Sequence, residues 1–352
     1  MKTNFSLPVY SVRGSNYEIG TQIGRHFREQ IAHVRENSHR LDVLRKLERK
    51  DQRLEKLIGY GEKYLPWYMD EITGIAHGSG SDFTDILLMN FHYDFPREAC
   101  TTVIFKEFDR IIIAHNEDNN NEYLNNCFLL KVFPEGKTPF LSHCYAGMIP
   151  GNSFVFNSNG IIITNNAMPT PDIKIGIPRH LIDRYTLEAE SIDDVIHRSL
   201  FKERASGGSF NVVSMRENLA VNIETTSNRH CITEVKDRYL HTNHYISSGL
   251  CQIKRDESLL STTSRYKVGS KLLKEVKEKT PQVALDILSS KEASPYSILR
   301  NDKRMRCRTL CTVLFDVSSD GITMKVYEPK PNMQEEDFVL EFSLNDINRG
   351  AH

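Results

Sequence analysis

The segment Ala99-Cys100-Thr101-Thr102-Val103-Ile104-Phe105 marks the point where the character of this 352-residue chain changes. Before it, apolar and charged residues recur with the spacing of amphipathic helices, most clearly over 25–56. After it, β-branched and aromatic residues form short runs that end in polar turns. The sequence therefore predicts a helix-rich leader, residues 1–99, and a strand-rich chain, residues 100–352, with Cys100 at the border.

Helix and strand signals outside this segment predict an α+β fold. Further helices are expected over 64–76, 81–91, 178–200 with a break at the cap 191–194, 264–277 and 281–288. Strands are expected over 101–105, 110–114, 128–133, 140–145, 153–156, 161–164, 211–214, 220–224, 232–235, 239–242, 309–317, 322–327 and 338–342. Taken alone, the polar run 116–121 is typical of a loop. Strand blocks separated by helix pairs favour helices that cover antiparallel sheets.

Composition excludes several classes of function. The 45 Lys and Arg residues balance 46 Asp and Glu residues, so no net charge favours binding to nucleic acid or to an anionic membrane. Apolar runs are of strand length, and residues 1–5 lack the pattern of a signal peptide. Seven cysteines are odd in number and lack paired metal spacing. We therefore expect a cytoplasmic protein with reduced thiols and no metal site.

Cys100 has two interpretations on its position alone. A lone cysteine before a strand is usually a buried small apolar residue. Chain cleavage before it would instead create an N-terminal cysteine whose own α-amine can accept the thiol proton, because both groups ordinarily titrate near pH ~8. In the second case no distant histidine is required.

Other catalytic patterns are weak in this sequence. His241 and His244 stand three apart on a predicted extended segment and lack the helix or cysteine pair of a zinc site. A serine hydrolase needs a Gly-x-Ser-x-Gly turn, which the segment 207–209 does not supply. No phosphate-binding glycine loop is found, since the stretch 147–151 has no Lys-Ser/Thr ending.

Several short motifs together resemble the acyl-coenzyme A:6-aminopenicillanic acid acyltransferase (isopenicillin N acyltransferase) family, a branch of the N-terminal-nucleophile (Ntn) hydrolases that also includes β-alanyl-amine hydrolases. They are Gly14-Ser15-Asn16-Tyr17-Glu18-Ile19-Gly20, Glu71-Ile72-Thr73-Gly74-Ile75-Ala76, Cys100-Thr101-Thr102, Asn116-Glu117-Asp118, Asn157-Ser158-Asn159-Gly160 and His241-Thr242-Asn243-His244. No single motif is specific. Their order and spacing cover nearly the whole chain.

The resemblance implies a four-layer αββα fold and a precursor that cleaves itself between Ala99 and Cys100. The leader and the catalytic chain would then stay associated as one structural domain. The Cys100 thiol would attack a small acyl amide or acyl thioester and pass the acyl group to water or to an amine. No cofactor is implied, and coenzyme A would enter as the thioester substrate. The oligomeric state remains open.

The resemblance also assigns roles to individual residues. Asn243 would donate an N–H to the oxyanion, and Asp118 would hold the oxyanion and the Cys100 amine. Thr102 would assist self-cleavage, and three residues would line the substrate site: His115, Asn166 and Arg265. Because bile salt hydrolases carry Arg where this chain has His115, a bile-acid substrate is disfavoured.

Two alternatives to a general acyltransferase or amidohydrolase stay open. The first is a hydrolase of small N-acylated amines such as β-alanyl amines. The second belongs to another class: an uncleaved, inactive relative that acts as a binding protein, because a fold alone does not imply activity.

Overall fold

The computed structural model describes residues 5–51, 53–91, 100–252 and 259–348. Ala99, expected at the cleavage point, lies outside the described residues. The helices are α1 Asn16–His26, α2 Arg28–Asn37, α3 His39–Asp51, α4 Arg53–Tyr64, α5 Pro66–Ser79, α6 Phe83–Asn90, α7 Arg179–Thr186, α8 Ile192–Ser199, α9 Leu260–Glu275, α10 Pro281–Leu288 and α11 Asn345–Asn348. Within these ranges, no helix is both long enough and apolar enough to cross a bilayer.

The strands of the described residues form two sheets. They are β1 Val9–Gly14, β2 Thr101–Lys106, β3 Arg110–Asn120, β4 Cys127–Pro134, β5 Phe140–Tyr145, β6 Phe154–Asn157, β7 Ile161–Asn166, β8 Ser209–Ser214, β9 Leu219–Thr225, β10 His230–Glu234, β11 Arg238–His241, β12 Cys307–Ser318, β13 Gly321–Tyr327 and β14 Phe338–Ser343. One sheet has the order β1-β4-β5-β6-β7-β8-β9-β10 and the other β11-β2-β3-β12-β13-β14. The predicted α+β class is confirmed.

The two sheets pack face to face, and helices cover their outer faces. Phe154 and Phe156 of β6 reach across to Phe315 of β12, with ring centroids 6.3 and 6.0 Å apart. On the outer face of the six-stranded sheet, apolar strand residues pack against α9 and α10. On the outer face of the eight-stranded sheet, Phe27 after α1 stacks on Phe128 of β4. The arrangement is consistent with a sandwich.

Helices α1 and α5 cross at glycines. A Cβ atom at Gly20 would overlap the carbonyl oxygen of Glu71, and one at Gly78 would overlap that of Thr21. Only glycine permits this close approach of two helix backbones. The crossing fixes α1 on α5 and so orders the N-terminal helices on the sheet.

Most of the described residues before Cys100 are helical, as predicted, but one segment among them is a strand that the sequence did not indicate. Its β1 strand pairs in parallel with β4 and forms one edge of the eight-stranded sheet. The strand is short, and only Val12 in it is buried. Its sequence therefore lacks the apolar alternation that would indicate a strand.

The polar run that resembled a loop is the end of β3. This strand continues to Asn120 and pairs with β12, with a register shift between Thr309 and Cys311. The shift leaves Leu310 as an extra residue opposite Glu117 and Asp118, as in a β-bulge. The sequence signal failed because polar residues occupy buried strand positions there.

Candidate active site

Cys100 lies directly before β2, and the pairing of β2 with β3 decides which residues face it. Thr101 pairs with Asn116 and Thr102 with His115. Continuing this register by one residue places Cys100 opposite Glu117. Because side chains alternate along a strand, Cys100, Thr102, His115 and Glu117 share the face between the sheets. Cys100 itself is 2% exposed.

The backbone of Cys100 is held by two polar side chains from other parts of the chain. Its N–H donates to Oδ1 of Asn243 at 2.9 Å. Nη1 of Arg265 donates to the carbonyl oxygen of Cys100 at 2.6 Å, and Nη2 of the same side chain donates to Oδ1 of Asn243 at 2.7 Å. Arg265, in α9, is therefore a buried part of the site and not a surface residue.

Asn243 is itself fixed in orientation. Its backbone N–H donates to the Thr262 hydroxyl at 2.7 Å, and its Nδ2 donates to the carbonyl oxygen of Ala167 at 3.0 Å. The preceding strand ends at His241, whose Nε2 lies 2.9 Å from a carboxylate oxygen of Glu224. An amide carries two N–H groups, so Nδ2 has one left for a further acceptor.

Glu117 lies near the thiol, and its sequence position gave it no role beyond membership of a motif. Its Oε2 atom lies 4.0 Å from Sγ of Cys100 and 3.0 Å from Nε2 of His115. The Ser153 hydroxyl donates to Oε2 at 2.6 Å, and the Tyr145 hydroxyl donates to Oε1. Extending the alternation of β3 by two residues from His115 would have identified it, but the polar run was interpreted as a loop.

Thr102 connects the His115–Glu117 pair to the eight-stranded sheet. Its hydroxyl lies 2.8 Å from Nδ1 of His115 and 3.0 Å from Oδ1 of Asn166 in β7. Asn211 in β8 donates to Oδ1 of Asn166 at 2.7 Å and to the Thr102 hydroxyl at 3.2 Å. The buried polar side chains thus form one continuous hydrogen-bonded network from Glu117 to β8.

Asp118 lies on the other face of β3, towards the helices. Burial raises the pKa of its carboxyl to about 7, although the positive charges of Arg300 and Arg265 and the nearby Thr309 hydroxyl lower it. Burial also lowers the pKa of the Arg265 guanidinium to about 10, against the attraction of Asp118. Arg300 is held by a 2.7 Å bond from Nη1 to the Ser261 hydroxyl. The spacing of Arg300 in the sequence gives no signal of this position.

The predicted site residues within the described ranges come together. Direct hydrogen bonds connect Cys100, Asn243 and Arg265, and a second set connects Thr102, His115 and Asn166. Glu117 links the two sets through its contacts to Cys100 and His115. Asp118 joins them through the charge of Arg265.

The donor atoms of Cys100, His115 and Glu117 all lie within 4.8 Å of one another. Such spacing would suit a transition metal ion. However, Oε2 of Glu117 already lies at hydrogen-bonding distance from both His115 and Ser153. The three side chains are therefore joined through Glu117 by hydrogen bonds.

Known proteins resemble this chain over most of its length. The family model described as acyl-coenzyme A:6-aminopenicillanic acid acyl-transferase matches residues 105–331, more than half of the chain. The beta-alanyl-dopamine/carcinine hydrolase of Drosophila melanogaster is 22% identical over 373 residues, which cover 94% of this chain and 95% of that protein. The acyl-coenzyme A:6-aminopenicillanic-acid-acyltransferase 40 kDa form of Emericella nidulans is 25% identical over 348 residues, which cover 95% and 96%.

One of these relatives is an acyltransferase and the other an amide hydrolase, so both are enzymes that act on acyl groups. The matches support an enzyme of acyl transfer or hydrolysis, and they confirm the resemblance on which the sequence analysis depended. The chain belongs to the acyl-coenzyme A:6-aminopenicillanic acid acyl-transferase family.

Proposed function

We propose that the chain is a cysteine enzyme of the Ntn type, which cleaves itself before Cys100 and then cleaves an N-acyl amide or acyl thioester through an acyl-Cys100 intermediate. One observation carries the proposal. The backbone nitrogen of Cys100 is held by Asn243, and its carbonyl oxygen by Arg265, although the residue is buried at the start of a strand. Any buried backbone group needs a partner, but here both partners are side chains, Asn243 and Arg265, which are also hydrogen-bonded to each other.

In turnover the free α-amine of Cys100 accepts the thiol proton, and the sulfur attacks the acyl carbon. The oxyanion that forms takes an N–H from Nδ2 of Asn243 and a second from the backbone of Asp118. Neutral donors that are fixed before the reaction stabilise such an oxyanion by ~3 kcal/mol each. The Asp118 carboxylate orients the amine indirectly, because it attracts the Arg265 guanidinium, which is hydrogen-bonded to the Cys100 carbonyl oxygen and to Asn243.

The acyl group then passes to water or to an amine. The hydrolase relative supports water as the acceptor and N-acylated amines as substrates, and the acyltransferase relative supports an amine acceptor with an acyl-coenzyme A thioester as donor. Coenzyme A is a substrate in this scheme and not a cofactor. A hydrolase of small N-acylated amines is the second candidate, because one full-length relative carries that activity in its name.

Intact-protein mass spectrometry tests the proposal directly. Purified protein should appear as two fragments divided before Cys100. Incubation with a panel of acyl thioesters and N-acyl amines should add one acyl mass to the larger fragment, on Cys100.

Cys100→Ala should remain a single chain and take up no acyl group. Cys231→Ser is the matched control, because it removes a more accessible thiol on β10 and should leave both reactions intact. A wild-type chain that stays intact after prolonged incubation would contradict the proposal and favour a binding protein.

A further inference from the structure

We infer that Glu117 and His115 together accept the thiol proton of Cys100 during self-cleavage of the leader. This inference depends on the proposed function, because it concerns a step of that function. It adds a base for maturation that is different from the base used in turnover. Glu117 is the catalytic residue, since it touches the reacting sulfur, and His115 acts through it as a positioning residue.

Self-cleavage and turnover have different needs. In turnover the α-amine of Cys100 is free and can take the thiol proton. Before cleavage the same nitrogen belongs to a peptide bond, and its lone pair is delocalised into the carbonyl group. An uncleaved chain therefore needs another proton acceptor close to the sulfur.

The described residues place a carboxylate at this position. Oε2 of Glu117 lies 4.0 Å from Sγ of Cys100, on the same face of the sheet. The hydroxyls of Ser153 and Tyr145 donate to its two oxygens, which fixes the carboxylate in place beside the sulfur. His115 lies 3.0 Å away through Nε2 and gives the carboxylate a partner that can share a proton.

The network can hold one extra proton, as counting donors shows. Thr102 has a single hydroxyl hydrogen and two neighbours within 3.0 Å that can accept it, Nδ1 of His115 and Oδ1 of Asn166. When it points to His115, the ring is neutral, and Nε2 donates to Glu117. When it points to Asn166, Nδ1 can carry a proton and donate to Thr102, so the ring becomes an imidazolium beside the carboxylate.

The thiol proton moves to the Glu117–His115 pair, and the sulfur attacks the carbonyl carbon of residue 99. The bond between this carbon and the nitrogen of Cys100 breaks, and the pair returns the proton to the leaving amine. Water then hydrolyses the thioester, which frees the carboxylate of residue 99 and regenerates the thiol.

Other titratable groups lie around Glu117 and His115, and their protonation states should not change between the pH values of a test. Burial lowers the pKa of His143, which lies between Tyr145 and Phe154, to about 4, so this histidine is neutral at working pH. Burial raises the pKa of Cys127 to about 12 and that of Cys311 well above its ordinary value, so both stay thiols. The Asp118 side chain lies on the opposite face of β3, towards the helices.

The test is the rate of self-cleavage in Glu117→Gln, followed from a freshly refolded uncleaved chain by mass spectrometry. We expect a fall of ~10²-fold or more, the usual effect of losing a general base. Turnover per cleaved molecule should fall much less, because the α-amine then serves. Raising the pH from 7 to 9 should recover much of the cleavage rate, since hydroxide can take the thiol proton, whereas a packing defect would not be repaired.

His115→Gln and Thr102→Val are the second variants, should Glu117→Gln fold poorly in a thermal melt. Both keep the carboxylate and should slow cleavage by ~10-fold or more. Glu335→Gln, which removes a carboxylate from a more exposed pair with Lys325, should cleave normally.

Two results would overturn the inference: cleavage of folded Glu117→Gln at the wild-type rate, or equal losses in cleavage and turnover. Both differ from failure of the proposed function itself, in which the wild-type chain stays intact or Cys100→Ala is cleaved.

Discussion

Oδ1 of Asn243 accepts two hydrogen bonds, from the backbone nitrogen of Cys100 at 2.9 Å and from Nη2 of Arg265 at 2.7 Å. The amide oxygen is thereby committed to Cys100 and Arg265, and the amide nitrogen donates to the carbonyl oxygen of Ala167. These partners decide which end of the Asn243 amide is the oxygen, since only the oxygen can accept both bonds.

Asn243→Ala should lower the rate of turnover ~10²-fold or more, because one oxyanion donor is lost. The variant should still fold, since the backbone bond from Asn243 to Thr262 remains. Steady-state kinetics on the cleaved fraction would check this, with a thermal melt as control. An unchanged kcat would reassign Asn243 to a structural role.

Arg265→Lys should reduce both cleavage and turnover by ~10-fold or more. The guanidinium spans three acceptors, the Cys100 carbonyl, the Thr101 hydroxyl and Asn243. A lysine ammonium is a point donor on a flexible chain and cannot reproduce this planar fork. Rates of both reactions would be compared with those of Arg110→Lys, which alters a partly exposed pair with Asp316 and should have no effect.

Asp118→Asn should stabilise the folded protein at alkaline pH. The folded-state pKa of about 7 lies above the ordinary value of 3.8, so the unfolded chain loses this proton first and wild-type stability falls as pH rises from about 4 to about 7. This interval corresponds to about 4 kcal/mol, which the amide would recover.

Urea unfolding of Asp118→Asn and wild type between about pH 3 and about pH 8 would measure the difference. The difference should be smallest below about pH 3, where both states of the wild type hold the proton, and should grow to a plateau above about pH 7. A difference that does not vary with pH would contradict the raised pKa.

Glu71→Gln should destabilise the fold by about 3 kcal/mol, because Arg184 would lose one partner while it stays buried. Glu71 lies 3.1 Å from Nη2 of Arg184 and accepts a 2.7 Å bond from Asn16, so it ties α5 to both α7 and α1. Denaturant unfolding would measure the loss. Glu335→Gln, at a more exposed pair with Lys325, should change stability by less than about 1 kcal/mol.

The strands and helices after Cys100 were largely predictable, because apolar runs and capping residues there follow the regular periods of secondary structure. The α+β class followed from their order. The strand β1 was not predicted, since its stability comes from pairing with β4 and not from its own apolar pattern. Pairing between distant segments leaves little trace in one sequence.

For the site, resemblance identified Cys100, Asn243 and Arg265, and the structure places them in contact. The sequence did not predict a role for Glu117, because buried carboxylates are rare and a polar run normally indicates a turn. The sequence did not predict Arg300 as a site residue, because its neighbours in space, Asp118 and Arg265, are distant in sequence. Such contacts depend on the β3–β12 register, which spacing alone does not determine.

The edge strand β1 has a consequence for how the protein would be produced. Residues before position 100 supply both this strand and the glycine-packed helix pair α1 and α5. Cleavage before Cys100 would therefore leave two fragments held together in one fold, and would not release a propeptide. Two halves synthesised from separate genes should then complement each other, whereas the larger half alone should expose an unpaired β4 edge and aggregate.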